Sequence, residues 1–119
     1  MKKIEKFEDL ICWQKGRLIV KEIYIVTKKS DFAKDYDLKG QIRRAAISVM
    51  LNIAEGFARR SRKEFKHFLY TSHGSLAEIQ SALYISLDLE YITDSIFKTL
   101  YSMCEENSKI IMGLIKKLE

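Results

Sequence analysis

The chain has 119 residues, 47% of them hydrophobic and 31% charged, a balance that suits a folded globular protein and lies far from that of a disordered one. That length accommodates one domain, taken here as residues 1–119, and leaves no room for a second. The net charge is +5, and the absence of proline favours long unbroken helices.

The N-terminal stretch MKKIEKFEDLICW mixes charges with apolar side chains and lacks the continuous apolar region of a signal peptide. No uncharged apolar run approaches the roughly 20 residues needed to span a bilayer, so a cytoplasmic protein without membrane contact is expected. From Asp9 to about Lys29, Cys12, Trp13, Gly16, Ile19, Val20, Ile23, Tyr24 and Val26 recur at three- and four-residue steps and predict a first helix. Ser30 to Leu38 gathers three aspartates and a serine and reads as a loop, with Asp37 placed to cap the next helix. The second helix runs to about Gly56 or Ala58. Ser61-Arg62-Lys63-Glu64 has the form of a capping box and opens the third.

The third helix presents Phe65, Phe68, Leu69, Leu76, Ile79, Leu83 and Leu87 as its core face. Ser72, Gly74, Ser75, Ala77, Ser81 and Ala82 are small enough to let neighbouring helices come close. Gly74 costs about 1 kcal/mol in a helix interior relative to alanine, and close packing would compensate for it. Thr93 and Asp94 can cap a fourth helix, with a stripe of Ile96, Leu100, Met103, Asn107, Ile110, Leu114 and Leu118. Asn107 is its one polar interruption, read as a partly exposed or locally bonded amide rather than a register-setting contact. Cys12 and Cys104 are too few for a disulfide framework or a zinc site and read as reduced core thiols. Nothing shows the period-two alternation of a strand. Four helices of about 20 to 28 residues with short connections predict an all-α, antiparallel up-down-up-down four-helix bundle.

The second helix carries the functional signal. On a wheel of about 100° per residue, Gln41, Arg44, Ser48, Asn52, Glu55 and Arg59 form one polar row about 80° wide, and apolar residues fill nearly all the rest. That apolar arc is about twice what a helix needs to face a single core. Ile42, Val49 and Ile53 are assigned to the core, and Ile47, Leu51 and Ala54 to a neighbouring subunit of an oligomer. Arg43, Arg44, Arg59, Arg60, Arg62, Lys63 and Lys66 stand against only Glu55 and Glu64, which locates the whole +5 excess between positions 43 and 66. Arginine's planar fork suits phosphate, and Phe57, Phe65 and His67 lie among these cations. A solvated helix junction would also account for them. Repeated around an oligomer, the patch would attract RNA or other nucleic acid through phosphate and shape. A scaffold for an acidic protein partner is the alternative.

Other chemistry finds little support. Glu64 and His67 have the Glu-x-x-His spacing of di-iron bundles, but such sites need two such pairs and two further glutamates. No phosphate-binding glycine loop, nucleophile elbow or Cys/His pairing is present, and Glu55 finds a partner in Arg59 four residues on. The expectation is a non-enzymatic protein without metal or cofactor.

The run QIRRAAISVMLNIAEGFARRSRKEFKHFLYTSHGSLAEI resembles the core signature of the 23S rRNA intervening-sequence proteins, with the Asn52-Ile53-Ala54-Glu55-Gly56 segment and the following Arg-Arg-Ser as its most specific part. The likeness extends from Phe7-x-x-Leu10-x-x-Trp13 to Glu90-Tyr91-Ile92. It implies a small cytosolic bacterial four-helix protomer without enzymatic activity, commonly a homopentamer with a basic channel. Related proteins are accessory factors of diversity-generating retroelements that bind nucleic acid and reverse transcriptase. Met50-Leu51 stands where the family usually has Pro-Ser, which widens the apolar face, and no proline follows the first helix.

Overall fold

A computed structural model describes residues 3–119 and is all-α, with five helices and no strand among the described residues. After a short 3-10 turn at Phe7–Asp9, the helices are α1 (Ile11–Thr27), α2 (Ser30–Lys34), α3 (Tyr36–Ala58), α4 (Arg62–Asp88) and α5 (Asp94–Leu118). The four long helices pack in the cycle α1–α3–α4–α5 and back to α1. Ile19 and Ile23 of α1, Ile42, Val49 and Ile53 of α3, Leu69, Leu76, Ile79 and Leu83 of α4, and Ile111 and Ile115 of α5 are fully buried between them. Ile42, Val49 and Ile53 therefore take the core positions expected of them. No helix among the described residues is long and apolar enough to cross a membrane.

The segment expected to be a loop contains a short helix instead. Phe32 on α2 is buried and stacks on Tyr91, with ring centroids 5.1 Å apart, a tertiary contact that no local pattern announces. The cap of α3 is Asp35 rather than Asp37: Asp35 Oδ1 accepts from the Leu38 N–H at 3.1 Å. Asp37 lies within the first turn, where its charge suits the helix N-terminus. The second oxygen of Asp35 accepts from the Tyr91 hydroxyl at 2.9 Å, so one carboxylate starts α3 and ties down the α4–α5 connection. That hydrogen bond, foremost, holds the Tyr91 phenol protonated above its ordinary range.

At the start of α4, Ser61 caps as expected, its Oγ accepting from the Glu64 N–H at 3.3 Å. The reciprocal half of the box is replaced, because the Glu64 carboxylate takes the Arg59 guanidinium at 3.1 Å. Thr93 caps α5. The small residues of α4 divide into two sets. Ser72, Ser75 and Ala82 are buried, and the Ser72 hydroxyl donates to the Val49 carbonyl of α3 at 2.9 Å. Gly74, Ala77 and Ser81 face outward, and a side chain added at Gly74 would meet nothing within 4 Å. Close packing inside the protomer thus does not explain Gly74.

Asn107 also departs from expectation. It is fully buried, and its Nδ2 donates to the Cys12 carbonyl of α1 at 3.1 Å, while its Oδ1 has no hydrogen-bond partner among the described residues. The α5 face is rotated relative to the expected stripe, with Leu100, Cys104, Asn107, Ile111 and Ile115 at its centre and Met103, Ile110 and Leu114 on its flank. The amide is therefore an interhelical contact that sets α5 against α1. Both cysteines are buried thiols, as expected, and burial pushes Cys12 up to about 11 and Cys104 up to about 12.

Asn107→Asp is nearly isosteric and tests this contact. At pH 7 the introduced carboxylate would be buried against a carbonyl and should destabilise the fold by about 3 kcal/mol. Burial raises its folded pKa above the unfolded value of about 3.9. The folded state then holds the extra proton, and stability is greatest below that value and falls as pH rises toward 7. Urea unfolding at pH 4 and pH 7 reads the difference; equal deficits at both would refute the assignment.

Candidate nucleic-acid interface

The basic segment is shaped by the approach of α3 to α4. A Cβ at Gly56 would lie 2.6 Å from Phe68 Cβ and 3.1 Å from Phe65 Cδ1, so only glycine lets the two helices meet there. Asn52 Nδ2 donates to the Ser48 carbonyl at 2.8 Å and lies 2.9 Å from the Ser48 hydroxyl, which in turn receives the Ser75 hydroxyl of α4 at 2.9 Å. The tight contact leaves only Arg59, Arg60 and Ser61 to reverse the chain. Arg60 stands at φ 58°, in the left-handed region where a helix end ordinarily places glycine.

The seven predicted cations do not form one group. Arg43 is half-buried: its Nε donates to the Thr27 hydroxyl at 2.8 Å and its guanidinium lies 4.2 Å from the Tyr24 ring centroid, so it packs α3 against α1. Arg44 is exposed, about 22 Å along α3 from Arg59 at 1.5 Å per residue. Arg59 pairs with Glu55 at 2.7 Å and Glu64 at 3.1 Å and covers the Phe68 ring at 5.0 Å, which makes it a clasp across the turn. The Glu55 hydrogen bond, foremost, raises its pKa further. Arg60, Arg62, Lys63 and Lys66 lie together at this end and have no ion pair among the described residues.

The aromatic side chains among them hold the protein together. Phe65 is buried and meets Phe57 edge to face at 5.8 Å, and Arg60 lies over Phe57 at 5.3 Å. His67 is edge-on to Phe68 at 5.5 Å. Phe65 is buried, and Phe57 is half-buried with the Arg60 guanidinium over its ring, so neither is an exposed platform for a base. The sequence reading also missed two cations. Leu118 lines the same 210 Å³ cleft as Arg60 and Arg62, which brings the last turn of α5, with Lys116 and Lys117, to this end of the molecule. The local signal for them was a basic last helical turn, favoured by the helix dipole.

The residues assigned to a subunit contact line an apolar groove of 210 Å³ between α1 and α3. Ile47 and Ala54 are half-buried and Leu51 is 63% exposed, beside Phe7, Trp13, Val20 and Met50. Among the described residues, no three or more His, Cys, Asp or Glu side chains converge as metal ligands would. The role of Arg43 is separable by substitution. Arg43→Gln should lower stability by about 1 to 2 kcal/mol in urea unfolding, while Arg44→Gln should stay within about 0.5 kcal/mol of wild type.

No functionally curated protein matches the chain. A crystal structure of a protein of unknown function from the S23 ribosomal protein family of Bacteroides thetaiotaomicron is similar, with a TM-score of 0.81 at 22% identity, over 89% of this chain and 99% of that one. That likeness extends to the fold. At the level of sequence, the profile of the 23S rRNA-intervening sequence proteins matches residues 8–113. The chain belongs to the 23S rRNA-intervening sequence protein family.

Proposed function

We propose that the chain is a single non-enzymatic domain, folded as an antiparallel up-down-up-down bundle, whose copies assemble through the α1–α3 groove and bind RNA in the cytoplasm. Arg60, Arg62, Lys63 and Lys66 contact phosphates, joined by Lys116 and Lys117. Arg59 holds the turn that presents them, and Arg44 extends the charged surface along α3. The observation that carries this reading is Arg60. A left-handed backbone costs a non-glycine residue roughly 1 to 2 kcal/mol; Ser30 and Glu90 share that region, and Arg60 is the cation among the three, set beside Arg62, Lys63 and Lys66. The inward-turned Phe57 and Phe65 argue for contacts to phosphate and shape over base stacking.

The same inward-turned rings favour a second reading, since a cationic surface without a stacking platform also suits carboxylates. In that case the protein is an interaction scaffold or an accessory factor docking an acidic partner such as a reverse transcriptase.

Arg60→Gly separates binding from folding. It should raise stability by about 1 kcal/mol by relieving the left-handed strain. It should at the same time weaken binding to a structured RNA. Log affinity should fall with log salt by about 0.9 per neutralised phosphate, and the variant should lose about one such increment. Fluorescence polarisation across a salt series reads both. If wild type binds no RNA even at low salt, the acidic-partner reading replaces this one. Light scattering should give a multiple of the 13.9 kDa protomer for wild type and a reduced mass for Leu51→Glu.

A further inference from the structure

An exposed row runs along α4 from Lys63 to Asp88, and within it the Tyr84 ring leans on Phe97 and Tyr101 of α5. Its members follow by alternating steps of four and three residues, so they lie along one line of helix surface. Such spacing reads the same in both directions. A second α4 laid antiparallel on the first therefore brings Lys63 opposite Asp88, His67 opposite Tyr84, Tyr70 opposite Ser81, and Gly74 opposite Ala77. We infer that α4 is a self-association surface, on which two copies of this chain pair antiparallel about a twofold axis between Gly74 and Ala77.

The end charges identify a second copy as the occupant. Lys63 lies in the first turn of α4 and Asp88 in the last, each at the end where the dipole of its own helix disfavours it. In an antiparallel pair each meets the opposite charge of the partner, and the two dipoles oppose. The centre is equally suited. The space around Gly74 is open to 4 Å, and with Ala77 it allows two backbones to come close. Tyr70 and Tyr84 are 50% and 52% exposed on either side; Tyr70 would face a serine across the pair, and Tyr84, already packed on Phe97 and Tyr101, would offer its remaining exposed part to His67. A twofold contact of this kind closes on itself after two copies. It is distinct from the α1–α3 groove; in the pair Lys63 is taken by Asp88, and Arg60, Arg62 and Lys66 remain for phosphate.

The test uses two single-cysteine variants, Lys63→Cys and Asp88→Cys, in a Leu51→Glu background so that pairing through α4 is read apart from assembly through α3. The native thiols are buried and pushed up to about 11 and about 12, which keeps them out of the reaction. After nuclease treatment and mild oxidation, the mixture should form one disulfide-linked dimer containing one copy of each variant. Neither variant should link to itself, because equivalent cysteines would stand about 37 Å apart along the pair. Self-linked dimers, or no link in the mixture, would overturn the proposal. In sedimentation equilibrium, Lys63→Asp should weaken the dimer by about tenfold and the exchange Lys63→Asp with Asp88→Lys should restore it. Gly74→Trp should abolish pairing with the helical circular dichroism unchanged, and undiminished pairing in that variant would count against the inferred axis.

Discussion

The contact between α3 and α4 at Gly56 is the constraint on which the rest of this molecule depends. Because no side chain intervenes there, Phe65 and Phe68 pack directly against α3, and the chain must reverse within three residues. Ser72 and Ser75 continue the close approach up the seam, one bonding to the Val49 carbonyl and the other to the Ser48 hydroxyl. A larger residue at any of these positions would push the helices apart. It would also widen the turn that carries Arg59, Arg60 and Ser61, so the geometry of the basic end follows from the packing of the core.

Polar groups within the core serve register more than stability. The Asn107 amide is fully buried and bonds through its Nδ2 to a backbone carbonyl of α1, a desolvation cost that an apolar residue would avoid. What the amide adds is direction, since a hydrogen bond to one carbonyl distinguishes one axial position of α5 from the next in a way that Ile111 and Ile115 cannot. At the opposite end of α3, Asp35 acts similarly, with one oxygen starting the helix and the other holding Tyr91.

The charges sort by the same logic. Arg43 and Arg59 are held by partners of their own chain and belong to the architecture. Arg60, Arg62, Lys63 and Lys66 have no acidic partner among the described residues, and the end of α5 adds Lys116 and Lys117 to them. Exposed charges contribute little to folding, even when paired. The clustering of these cations at one end is what gives the surface its chemical character.

Much of this protein was legible in its sequence because helices are local objects. The 3.6-residue period located α1, α3, α4 and α5, Ser61 and Thr93 marked two starts, and Ile42, Val49 and Ile53 fell into the core as their spacing required. The family could be named from its Asn52–Gly56 segment for the same reason, since that segment is a contiguous string. Other features required the tertiary structure, because they depend on residues far apart in the chain. Phe32 forms a helical turn around a contact with Tyr91, Asn107 is buried by α1, and Lys116 and Lys117 reach the basic end only when α5 folds back. Sequence pattern identifies which residues carry charge or avoid water; which charges are already matched, and which small residues face outward, is decided by the neighbours that packing brings to them.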